Sequence, residues 1–196
     1  VENFNPPNWV EVVEPKKDFG DPVRNSRKDK ILCPFVDEDS VYVDASKVHL
    51  LNNKFLYLSK KILSGDKFFV MQHPHKHSYL NECMEYYKKG WVDYDTIIKF
   101  TKHLYNLKYD FKDFFSPLCT ILRRKKGLVN FNNLWWQLYM SGGVRDQAAF
   151  SASLQLSKIN YQYEYSIDFL NQFTNAGYGG EWWSTSQGDY HYFTPE

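Results

Sequence analysis

Apolar residues in the middle of this chain switch from helical to strand spacing and back, and that alternation limits the fold more than any single motif does. Leu51, Phe55, Leu58 and Ile62 recur at steps of four, three and four, and Gly65 follows as a stop, which predicts a helix. "KFFVMQ" at 67–72 returns to strand. Tyr79, Leu80, Cys83, Met84 and Tyr87 then mark a second helix ending at Gly90, and Ile97, Phe100, Leu104 and Leu107 a third, with Asp95 near its start. Earlier, "KILCPF" at 30–35 and "SVYVDAS" at 40–46 are short apolar runs. The second is nearly continuous rather than alternating, as in a strand covered on both faces. "LCTIL" at 118–122 is a further strand candidate, and helices flank the Gly142-Gly143 break, around Leu134 to Met140 and from Arg145 onward. Strands alternating with helices predict an α/β domain.

The ends of the chain carry less pattern. Residues 1–30 hold "NPPNW", "EPKKDFGDP" and "RNSRKDK" and read as irregular chain with one strand at Trp9 to Val13. The tail from Tyr161 is aromatic and glycine-rich with no period. At 196 residues and 43% hydrophobic, the whole of 1–196 suits one compact domain with a real core.

Twenty-four basic against twenty-three acidic residues leave a net charge of +1, so no global field draws the chain to nucleic acid or to an anionic membrane. Any phosphate must be met by a local cluster. No apolar run approaches the roughly 18 residues of a membrane span. Cys33, Cys83 and Cys119 are odd in number and far apart, which predicts buried thiols in a reducing compartment rather than a disulfide framework or a zinc cluster. The 18% aromatic content serves core packing and sugar platforms alike.

Four stretches carry candidate chemistry. Asp44 ends the "SVYVDAS" strand, where an open α/β sheet builds its ligand site; Asp44 and Ser46 equally suit a cap on the following turn. "DPVRNSRKDK" clusters Arg24, Arg27, Lys28 and Lys30, a group able to bind a diphosphate or simply a solvated loop. In "MQHPHKHSYLNE", His73 and His75 follow a strand, and one histidine beside Asp44 could complete a metal shell. "SGGVRDQAAF" opens a helix with Arg145, Asp146 and Gln147. Asp146 there is a first-turn helix residue or a general base with Arg145 and Gln147 orienting hydroxyls. Just before it, Trp135 and Trp136 point about 100° apart on a helix, so one can be core while the other faces a site.

In order along the chain, "DPVRNSRKDKILCPF", "SVYVDAS", "FFVMQHPHKHSYLNECMEYY" and "LWWQLYMSGGVRDQAAFS" resemble the motifs of the GT-A-like glycosyltransferase family. That family includes plant mucilage-related glycosyltransferase-like proteins and the N-terminal domain of a large chlorella-virus protein. The resemblance implies a single GT-A-like (Rossmann-like) domain over 1–196, with a mainly parallel central sheet flanked by helices. The family's first strand and turn would fall before Val1. It implies a metal-dependent transferase moving a sugar from a nucleotide donor, UDP in first place, to a glycan hydroxyl.

Asp44 then matches the first acid of the metal-binding Asp-x-Asp element and Ser46 the second acid's place, with His73 or His75 and the diphosphate completing the shell of Mn2+ or Mg2+. Arg24, Arg27 and Lys30 fall near the donor diphosphate, with Arg145 and Gln147 on the same donor side. Asp146 is the first choice of base and Glu82 the second, and Trp135 or Trp136 would hold the acceptor. The sequence departs from the motifs at Phe35, at Lys76 and at Ser46, a weaker, neutral ligand. Such a domain works in the cytoplasm, that of a host cell if the chain is viral, or in the Golgi lumen if an anchor preceded it; further domains of a longer protein are compatible with it. Two other classes stay open, a metal-independent hydrolase of a lipid or glycan amide and a catalytically inactive carbohydrate-binding domain.

Overall fold

The structure is a computed structural model that describes residues 19–44, 60, 63–64, 68–72, 78–112, 117–142 and 145–165. The expected strand at Trp9 to Val13 and, apart from Lys60, the expected helix at Leu51 to Ile62 lie outside these residues.

The first described element corrects the sequence expectation. Where 1–30 read as irregular chain, helix α1 spans Pro22–Leu32, and Ile31 of the "KILCPF" run belongs to its last turn rather than to a strand. Its start is set by two local signals. The Asp21 side chain accepts the amide hydrogens of Val23 and Arg24 at 2.8 and 3.4 Å, and Pro22 at the first position has a fixed φ already suited to a helix. No apolar stripe announces this helix, because Lys30 and Ile31 are its only buried residues.

Strand β1 (Ser40–Val43), strand β2 (Phe68–Gln72), helix α2 (Tyr79–Lys88), helix α3 (Tyr94–Asn106), strand β3 (Pro117–Arg124), helix α4 (Val129–Met140), helix α5 (Asp146–Ser157) and strand β4 (Tyr161–Tyr165) follow. Helices α2 and α3 stand where the spacing predicts them. Ser78 caps α2 by accepting from the Asn81 amide, and Asp93 caps α3 by accepting from the Thr96 amide at 2.7 Å. After α2 the chain turns back at Gly90, with φ of 66°, in the left-handed region that glycine enters without steric cost.

The four strands form one sheet in the order β1-β3-β2-β4. β3 pairs antiparallel with β1 and with β2, while β2 pairs parallel with β4. A mainly parallel sheet would therefore need further strands from outside the described residues. Val43 faces Ile121 and Gln72 faces Pro117, so β1 and β2 run in the same direction on either side of β3, both toward its start.

One core joins the sheet to α4 and α5 and also takes in Cys83 and Tyr86 of α2 and Ile97, Phe100 and Leu104 of α3. Phe68, Phe131, Trp135 and Phe150 are buried; Phe131 and Trp135 each meet Phe150 edge to face, the Trp135 and Phe150 ring centres lying 4.6 Å apart. The small residues Ala148, Ala149, Ser151, Ala152 and Ser153 are also buried along α5, which lets its backbone approach its neighbours closely.

Candidate functional site

The acid that ends β1 meets a cation from α1. Lys30, in the last turn of α1, is only 3% exposed, and its Nζ lies 3.1 Å from Asp44 Oδ1 and 2.8 Å from Asp146 Oδ2. Arg27, one turn earlier, reaches the same Asp146 oxygen with its Nε at 3.4 Å. Positions i and i+3 share a helix face, so one face of α1 delivers both cations. The last member, Asp146, stands at the first position of α5. Three elements that are distant in sequence thus bring Arg27, Lys30, Asp44 and Asp146 into one cluster.

The surroundings hold the cluster rigidly. The Tyr42 hydroxyl donates to Asp44 Oδ1 at 2.7 Å; burial, and then the Asp44 carboxylate, push the Tyr42 hydroxyl far above its ordinary range, so it keeps its proton and remains a donor. Trp135 Nε1 donates to the Asp146 backbone carbonyl at 2.8 Å, and Gln147 Nε2 donates to the Pro117 carbonyl at 3.1 Å, fixing the start of α5 to α4 and β3. Arg124 donates to the Lys30 carbonyl, tying the end of β3 to α1.

Asp146 is almost fully buried, which alone would raise its affinity for a proton. Lys30 and Arg27 outweigh that and hold the carboxyl well below its ordinary 3.8. Burial likewise disfavours the Arg27 cation, yet Asp146 and Asp44 more than compensate. Asp146, the expected base, is thus occupied by two cations, an arrangement in which it orients Lys30 and Arg27. Glu82, the second expected base, is buried on α2 and accepts the Tyr86 hydroxyl. That same hydroxyl lies 3.4 Å from Gln147 Oε1, which puts Glu82 next to the start of α5.

The two tryptophans separate as their helical phases require. Trp135 is fully buried and packs on Phe150, so of the two it is the one in the core. Trp136 is half-buried and stacks loosely with Phe19 and Tyr139. Arg24 lies outside the cluster, exposed and paired with Asp21 at 3.4 Å. The Arg145 guanidinium lies 4.3 Å from the centre of the half-exposed Trp91 ring. Ser46, His73 and His75 lie outside the described residues.

At Asp44, the one expected metal ligand among the described residues, Lys30 Nζ and the Tyr42 hydroxyl both occupy Oδ1, so a magnesium–oxygen bond of about 2.1 Å to that oxygen would require them to leave. Among the described residues no group of three metal-ligating side chains assembles. Sequence reasoning missed Tyr42, Arg124 and Trp91; only Tyr42 carried a signal, since residues two apart on a strand share a face and Tyr42 precedes Asp44 by two. No family model, curated protein or solved structure matches this chain.

Proposed function

We propose that the protein is a nucleotide-sugar-dependent glycosyltransferase with a GT-A-like domain, using a UDP-sugar donor and a glycan hydroxyl as acceptor. One observation carries this reading: Arg27, Lys30, Asp44 and Asp146 converge at the carboxyl-end edge of the sheet. That edge is where open α/β sheets bind nucleotides, and Arg27, Lys30 and Asp44 are positions that the motif resemblance assigns to the donor side.

The chemistry follows from the leaving group. When the bond between the sugar carbon and the diphosphate oxygen breaks, negative charge builds on the diphosphate. Fixed cations at that point lower the barrier because they need not reorganise. Arg27, a quarter exposed, is the group that offers bidentate bonds to phosphate. Arg145, held against Trp91, stands beside Asp146 at the helix start, where backbone amides also favour an anion. Asp146 and Asp44 position the cations. Glu82 is the remaining candidate to accept the acceptor's proton, with Tyr86 directing its carboxylate.

Screening UDP-, GDP- and CMP-sugars by thermal shift, followed by a UDP-release assay on oligosaccharide acceptors, tests the proposal. A UDP-sugar should raise the melting temperature, and acceptor-dependent UDP release should follow. Absence of any nucleotide-sugar shift and of any release, with or without manganese, would refute it.

A further inference from the structure

We propose that Lys30 is a built-in substitute for the divalent cation, so that the donor diphosphate binds without metal. The proposal rests on the transferase reading and concerns how that same site meets its donor.

Two observations carry it. Lys30 Nζ bridges Asp44 and Asp146 at 3.1 and 2.8 Å and so already occupies an oxygen of Asp44, the acid that the motif resemblance gives to the metal. The ammonium is also locked there: the residue is 3% exposed, its Nζ lies 5.5 Å from the centre of the Tyr42 ring, and its backbone carbonyl accepts Arg124. Charge then decides what the cluster can bind. Arg27 and Lys30 neutralise Asp44 and Asp146, and Arg145 and Arg124 add positive charge against a further acid, Glu82. Such a group repels an added dication and attracts an anion. A site that needed metal would instead present uncompensated carboxylates.

The test is isothermal titration of UDP into the full chain, once after chelator treatment and once with saturating manganese, with manganese binding read separately by electron paramagnetic resonance. The expected result is a UDP dissociation constant that agrees within about twofold in the two buffers, and no bound manganese without nucleotide. Lys30→Met should reverse the requirement, since Asp44 would then lose its cation and Asp146 would keep only Arg27. That variant should bind manganese, and its UDP affinity should rise about tenfold or more when manganese is added. Arg27→Gln, at a more exposed position, should weaken UDP about equally in both buffers and serves if Lys30→Met does not fold. UDP binding to the wild type only with manganese would overturn the proposal while leaving the transferase reading intact. No UDP binding in either buffer would instead remove the reading on which it rests.

Discussion

Replacing Asp146 by Asn keeps the volume and removes the charge, so its effect isolates the ion cluster from packing. In the wild type, the carboxylate is 3% exposed and holds Lys30 at 2.8 Å and Arg27 at 3.4 Å. Removing one partner of a buried pair costs about 3–5 kcal/mol because the other charge is left in a poorly solvating interior. Lys30 keeps Asp44 at 3.1 Å, and Arg27 is a quarter exposed, so the lower end applies, about 3 kcal/mol. For a chain of this length that is about 6–12 °C in melting temperature, at roughly 2–4 °C per kcal/mol.

The pH dependence has a definite sign. The folded carboxyl titrates well below its ordinary 3.8, so its contribution is complete above the unfolded value and is lost as pH falls through the folded one. The melting-temperature gap between wild type and Asp146→Asn, measured by scanning calorimetry, should stay constant from neutral pH down to about pH 5 and narrow progressively below about pH 4. A gap under about 2 °C at neutral pH, or one that widens on acidification, would refute the ion-cluster account.

Other predictions follow from single contacts. Asp21→Ala removes the cap of α1 and should cost about 1 kcal/mol in urea unfolding; an unchanged midpoint would mean the cap does not secure the helix that carries Arg27 and Lys30. Trp135→Phe leaves the Asp146 carbonyl without its donor inside the core and should cost about 1–3 kcal/mol, whereas Trp136→Ala should cost clearly less; equal losses would contradict the assignment of Trp135 to the core. Burial pushes the Cys83 thiol up to about 11, helped by nearby Glu82 and opposed by a hydrogen bond from Tyr79. Mass spectrometry after iodoacetamide treatment should find Cys83 unmodified until the chain is unfolded, and rapid native modification would place it at the surface instead.

What the sequence disclosed depended on which physical signal each element used. Periodicity located helices α2 and α3, and Ile97, Phe100 and Leu104 are buried on α3 as expected, but on α2 the expected Leu80 and Tyr87 are exposed while Tyr79, Cys83 and Tyr86 are buried. Helix α1 buries almost nothing apolar and was legible only through Asp21 and Pro22, signals that a proline- and charge-rich context concealed. At the site, Asp44, Arg27, Lys30 and Asp146 stood out as residue types, but pairing across the fold was not readable from spacing. The carboxylate that resembled a base turned out to be occupied by two cations. Helical phase likewise said that one of Trp135 and Trp136 enters the core; tertiary packing on Phe150 decided which.

The central claim is that this cluster receives the diphosphate of a nucleotide donor, and calorimetric titration of UDP and of uridine into wild type and Arg27→Gln tests it most directly. The account predicts that the wild type binds UDP at least about tenfold more tightly than uridine, and that Arg27→Gln loses most of this difference while its uridine affinity stays unchanged. Equal affinities for UDP and uridine in the wild type, or a UDP affinity indifferent to Arg27, would contradict it.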